Sequence, residues 1–397
     1  MNLAFLAQRA AHWLGGVLAA VVVAAAAEPH AEGPMVKMSP YEVTASTVQF
    51  KHWIKVSSPH FCVYTDVSAL EAMTIVREME MLHLAAQQFF GRPALRRRPM
   101  IFVLPASGSD WRKLESKGRV EWKVAISDPA HTVVDLVLAH YDWQARDLDL
   151  VWAEVGAAEC HWLNLPLPLW FERGVMGFLE TAEFTKDSIA LGRVSERVRH
   201  VQETGWLPWG RLFAVSVQDR EYRKDGEFQR YAGQCIAFVQ YMLAHSDAAW
   251  LERLMTWTAL MDAGVPPTEA EFNAVFGQDW KAWQKTMERY LGGGTYKIVT
   301  AQFKPEMLKF DVLQLDAPPR EMRELFILGQ ILNQNVPASQ VSLDSLLAKG
   351  LESEGLREIL VEACLKWDRA DAVSENLRRL IAAKSTNPEV YALAAKR

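Results

Sequence analysis

A change of hydrophobic period near Leu150 is the feature that most constrains what this chain can fold into. Upstream of it, short segments alternate or are rich in β-branched and aromatic residues: HFCVYTD (60–66), MIFVLP (100–105), WKVAIS (122–127) and TVVDLVLAH (132–140). Such segments read as strands. Between the first two, Ala69–Phe90 places apolar residues at helical spacing and stops at Gly91-Arg92-Pro93, a helix-ending combination. Downstream, 150–163, 171–183, 227–244 and 269–291 are helical in period, with NLPLPLW (164–170) interrupting the first two. The pattern predicts an α+β fold: a small N-terminal mixed sheet with helices, then a mainly helical second half.

At 397 residues the chain is too long for one ordinary core. Residues 296–318 lack a clear period and are expected to be a linker. From 319 to 397 only helical segments remain, near 320–334, 339–349, 354–366, 369–384 and 387–396. This all-α, repeat-like C-terminal region resembles tetratricopeptide-like helix pairs, NPEVYALAAK (387–396) being its best fragment. The main domain is expected over 51–295.

The first 27 residues predict an address label. Arg9 is the only charge before Glu28, and an apolar run from Trp13 to Ala27 follows it. That run is short of the roughly 20 residues that span a bilayer. A basic start, an apolar stretch and an Ala-rich end match a signal peptide cleaved near Ala27. The alternative is a retained anchor. Residues 28–50, with Pro29, Gly33, Pro34 and Pro40, are expected to be a flexible lead-in. The mature protein is then periplasmic or secreted, with no stable membrane insertion. A formal net charge of -5 argues against a nucleic-acid binder, and 50% hydrophobic residues against a disordered chain. The four cysteines, at 62, 160, 235 and 364, have neither zinc-finger nor CxxC spacing and read as buried hydrophobes.

The chemistry is sought in the first long helix of the second half. A zinc peptidase of the HExxH type needs two His one turn apart, a Glu beside the first as general base, and a third ligand from a following helix. Here the helix reads VWAEVGAAECH (151–161), and LPLWFERGVMGFLE (167–180 within 165–180) follows.

These segments, with SPHFCVYTD (58–66), the Tyr231–Leu243 helix and FGQDWKAW (276–283), resemble in order the secreted bacterial gluzincin, or peptidase MA-like, group. The resemblance covers about 52–292. It implies a metallopeptidase fold in which Ala153 and Ala157 stand at the two His positions and Arg173 at the Glu ligand. Glu154 alone keeps the general-base position, and Met176-Gly177 replace the Ala-Glu that follows. Ala offers a metal no donor atom, and Arg stays cationic in proteins. Glu154 is therefore expected to be a relic with no metal-bound water to deprotonate. Charge logic pairs it with Arg173.

The reading that follows is an exported pseudoenzyme, without cofactor, that binds a protein or peptide partner. One alternative is a zinc peptidase with relocated ligands drawn from His161, Glu154 and Cys160, with Glu159, Asp147, Asp149 and His140 nearby. Another is an envelope interaction protein acting through its C-terminal helices. Minor candidates are the turn ASGSD (106–110), the basic run RRR (96–98), Gly292–Gly294 as a helix cap and linker, and Trp206 with Trp209, expected in the core or lining a groove.

Overall fold

A computed structural model describes residues 52–90, 99–106, 123–126, 136–139, 148–162, 167–244, 248–293, 297–333, 337–351 and 354–397. The expected signal peptide and lead-in, the basic run 96–98, most of the turn at 106–110, His140 and Asp147 lie outside them.

The fold is α+β, as the period change predicts. Strands β1 (Ile54–Ser57) and β2 (Phe61–Thr65) form an antiparallel hairpin. Helix α1 (Ala69–Phe90) crosses to β3 (Met100–Leu104), which runs parallel to β2. β4 (Lys123–Ile126) pairs antiparallel with β5 (Leu136–Ala139), itself parallel to β3. The helical half follows: α2 (Asp149–Trp162) and α3 (Leu169–Leu179), short strands β6 (Glu183–Phe184) and β7 (Ser188–Leu191), then α4 (Glu196–Thr204) and α5 (Trp209–Ala214). Next come α6 (Arg220–Arg223), α7 (Asp225–Leu243), α8 (Ala248–Asp262), α9 (Glu269–Phe276) and α10 (Trp280–Gly292). Two more strands, β8 (Val299–Gln302) and β9 (Leu313–Asp316), precede α11 (Pro319–Asn333), α12 (Pro337–Lys349), α13 (Arg357–Lys366), α14 (Ala370–Ala382) and α15 (Pro388–Lys396).

The stretch expected as a linker thus carries two strands. β8 completes a small sheet in the order β6-β7-β8, and β9 adds an edge to the main sheet, ordered β4-β5-β3-β2-β1-β9. Strands this short carry too few residues to show a period. What stabilises them is pairing with β7 and β1, which lie far away in sequence.

The main sheet is covered on both faces. Side chains alternate along a strand, and in β2 and β3 both sets are buried. Phe61, Val63, Met100, Phe102 and Leu104 join the core of α1, α2 and the helical half. Cys62, Tyr64 and Val103 join a second core built from Met322, Leu325, Phe326, Ile359, Leu360 and Leu377. Trp53 meets Phe326 edge-on at 5.8 Å. The Tyr64 hydroxyl donates to Glu321 at 3.0 Å within this buried layer. The C-terminal helices are therefore a layer of the sheet domain.

Among the described residues, most of the tryptophans serve the helical core. Trp170 packs edge-on against Phe213 and Phe238, and Trp283 against Phe238 and Phe272. Trp209 lies in the same cluster and is 3% exposed, so it is a core residue.

Glycines set the closest helix approaches. A Cβ at Gly233 of α7 would stand 2.1 Å from the Arg197 carbonyl oxygen of α4, and one at Gly177 of α3 would stand 2.2 Å from Ile236 of α7. Among the described residues, no helix is long and apolar enough to cross a membrane.

Two outcomes are expected in urea unfolding. Gly233→Ala should lose about 1–3 kcal/mol through overpacking, whereas Gly226→Ala, which meets nothing within 4 Å, should gain up to about 1 kcal/mol of helix propensity. Phe326→Ala should cost about 3–5 kcal/mol and shift one shared transition. A separate early transition of the C-terminal helices would contradict a common layer.

Candidate functional site

Helices α2 and α3 form an antiparallel hairpin, and the positions singled out in the sequence fall along it. α2 is apolar nearly throughout and is buried from Val151 to Cys160. At Gly156 a Cβ would sit 3.1 Å from the Met176 Cα, so the two backbones are in close contact there. This brings Ala153, Ala157 and Met176 together as a small apolar cluster of their own, 6%, 8% and 6% exposed. Glu154, one residue from Ala153, is buried at 1% exposure. The structure thus unites the two Ala positions with the Met that follows the Arg.

Arg173 belongs to the same helix face, three residues before Met176. Its Nη2 donates to the Tyr222 hydroxyl at 2.8 Å, and its guanidinium lies 5.4 Å from the Tyr222 ring centroid. Glu172 is 3.5 Å away. Among the described residues Arg173 makes no ion pair with Glu154, which corrects the expected pairing. The reason is reach: α6, which carries Tyr222, and the neighbouring Glu172 take up the guanidinium first.

The same faces lead out to a groove of about 1530 Å³. Asp149 lies one turn before Ala153 on α2, and Glu180 one turn after Met176 on α3; both line the groove, with Arg197 and His200 of α4 and Gln229 of α7. Arg197 bonds Glu180 and also donates to Gln229 at 3.1 Å, pinning α4 to α3 and α7 at this rim. The lining mixes both signs of charge.

The relocated-ligand set fares differently. Burial pushes the Cys160 thiol well above its ordinary value, with the charges of Glu172 and Glu159 adding to the rise. Glu159 faces α1, where its carboxylate meets His83 Nδ1 at 2.6 Å. His161 belongs to the last turn of α2, and its side chain lies outside the described residues. Among the described residues, no three His, Cys, Asp or Glu side chains are placed to hold one metal ion. Cys235 is buried in α7, its thiol likewise raised by burial, which suits packing and not nucleophilic attack.

A polar network that the sequence reading passed over lies behind α2. Glu80 of α1 accepts from the Ser58 hydroxyl at 2.6 Å, the His60 backbone N–H at 2.9 Å and His60 Nδ1 at 2.8 Å. The His60 and His83 rings lie 4.0 Å apart, and Gln87 meets His83 Nε2 at 2.8 Å. Two carboxylates thus face two close, mutually tilted imidazoles between the β1–β2 turn, α1 and α2. The available clue was Glu80 and His83 on an otherwise apolar helix face, since buried charges need partners.

A scan of this sequence against protein-family models gives no match, and a search of curated proteins finds no significantly similar sequence.

Burial alone would raise Glu80, but the hydrogen bonds from His60 and Ser58 and the His60 charge outweigh it and hold the carboxyl below its ordinary value. A depressed carboxylate adds stability above its ordinary range, and that stability is lost as pH falls through the folded-state value. Glu80→Gln should therefore lower the urea midpoint at neutral pH and flatten its fall as the pH drops below about 5. An unchanged acid slope would refute this role for Glu80.

Proposed function

We propose that this chain is an exported, non-catalytic relative of the peptidase MA-like group, a pseudoenzyme that binds a protein or peptide partner in the α2–α3 cleft. The observation that carries the reading is the cluster of Ala153, Ala157 and Met176. The positions that would present imidazoles to a metal hold methyl groups packed against a thioether side chain, and the third ligand position holds a guanidinium. Such a lining has no lone pairs for a hard or borderline cation. Glu154, kept at the general-base position, then has no activated water to deprotonate.

The binding half of the reading is supported by the groove at the Asp149 end of α2 and the Glu180 end of α3. Its walls are held by hydrogen bonds between α3, α4 and α7, so it is preformed. Its lining, charged and polar with Val194 and Ile298 among it, suits a polar extended peptide.

Metal content and activity test the reading together. The protein purified from zinc-supplemented medium should carry well under one zinc per chain and cleave no peptide library above background. The variant Ala153→His/Ala157→His/Arg173→Glu should gain zinc. Stoichiometric zinc in the wild type, lost on mutating His161 or Cys160, would establish the relocated-ligand peptidase instead.

A further inference from the structure

We infer that the free edge of β9 is a self-association surface, at which two copies of this chain pair strand to strand about a two-fold axis through Gln314. The inference is independent of the non-catalytic reading above. β9 is the outermost strand of the six-stranded sheet and has β1 on one side only. All of its residues, Leu313 to Asp316, are exposed. Leu313 and Leu315 are 58% and 50% exposed, and Val312 just before them is 38% exposed. Large apolar side chains are thus left in water beside backbone that lacks a second strand. The ladder shows which backbone groups point out. The Ala317 N–H bonds the Trp53 carbonyl at 2.9 Å, and Leu315 and Leu313 stand opposite Lys55 and Ser57. In an antiparallel pair hydrogen-bonded positions alternate, so Leu313, Leu315 and Ala317 turn their N–H and C=O groups to β1. Gln314 and Asp316 turn theirs outward, where none of the described residues bonds them. Natural edges are commonly blunted by Lys, Pro or a bulge. From Val312 to Asp316 this edge holds neither Lys nor Pro, and its register on β1 is unbroken. Pro318, with no N–H, ends it.

The edge is complementary to itself, which commits it to a second copy. With the axis on Gln314, the two Gln314 residues exchange both backbone hydrogen bonds, and Leu313 of each copy faces Leu315 of the other. These leucines occupy the non-hydrogen-bonded positions, where side chains approach most closely. They cover one another on the face of the sheet that carries Lys55 and Tyr64. Asp316 faces Val312 of the second copy, so no like charges are opposed. Every neighbouring register is worse. An axis on Asp316 sets carboxylate against carboxylate, and one on Val312 sets Leu313 against Asp311. An axis on either leucine leaves the other facing Ala317 or Asp311. A two-fold contact of this kind closes on itself and joins the two six-stranded sheets into one. A single short strand pair falls below the roughly 1,200 Å² of standard interfaces, so the association is weak, with a Kd on the order of 100 µM.

Sedimentation equilibrium of the full chain, from about 5 to about 500 µM, tests the proposal. The mass average should rise from one chain towards two. Leu315→Lys, a change at an exposed side chain, should keep the thermal midpoint and weaken association at least about tenfold. Val341→Lys on α12, at a side chain 63% exposed, should leave association unchanged. Gln314→Cys should cross-link to itself under mild oxidation, because Cα atoms of a hydrogen-bonded pair lie about 5.5 Å apart, within disulfide reach. The native cysteines, Cys62, Cys160, Cys235 and Cys364, are buried and do not compete. A monomer at about 500 µM, or a dimer that Leu315→Lys leaves unchanged, would overturn the proposal. Neither result bears on metal content or hydrolysis, so the non-catalytic reading is tested separately.

Discussion

The close approach of α3 to both α2 and α7 is the constraint on which the rest of the cleft depends. Glycines permit it. Gly156 lets α2 reach the Met176 backbone, and Gly174 and Gly177 let α3 press on Val239 and Ile236 of α7. With larger residues the helices would part by roughly the width of a methyl group, and Ala153, Ala157 and Met176 would no longer close on one another. Packing that tight is the frame of a site whose side chains must converge, and here it brings together two methyl groups and a thioether where imidazoles would be needed for zinc.

Charge in this molecule is partitioned by distance from that frame. Behind α2 the imidazoles of His60 and His83 meet the carboxylates of Glu80 and Glu159. At the groove rim Arg197 joins Glu180, and farther out Arg211 joins Asp219 and Glu221. Between them Arg173 takes a phenol, an aromatic face and the Glu172 carboxylate at 3.5 Å as its partners.

The two-sided sheet gives this arrangement its support. Strands β2 and β3 bury every side chain but Ile101, which is partly buried, one set under α1 and α2 and the other under α11 and α13. Removing either layer would expose a row of large apolar residues. The C-terminal helices therefore stabilise the sheet on which α1 and α2 rest, whatever else they contact.

What the sequence determined by itself was local: the change from period two to period 3.6, the helix from Ala69 to Phe90, the α2–α3 break at Pro166 and Pro168, and the five C-terminal helices. It also determined the absence of ligand atoms at Ala153, Ala157 and Arg173, because side-chain chemistry is a property of the residue and not of the fold. Tertiary structure decided everything that depends on partners distant in the chain. Strands β8 and β9 exist because β7 and β1 offer them backbone hydrogen bonds, which no four-residue segment encodes. The supposed linker became part of two sheets for that reason. Likewise Arg173 went to Tyr222 and not to Glu154, and Glu159 went to His83. Electrostatic pairing follows separation in space, and spacing along one or two helices does not specify it.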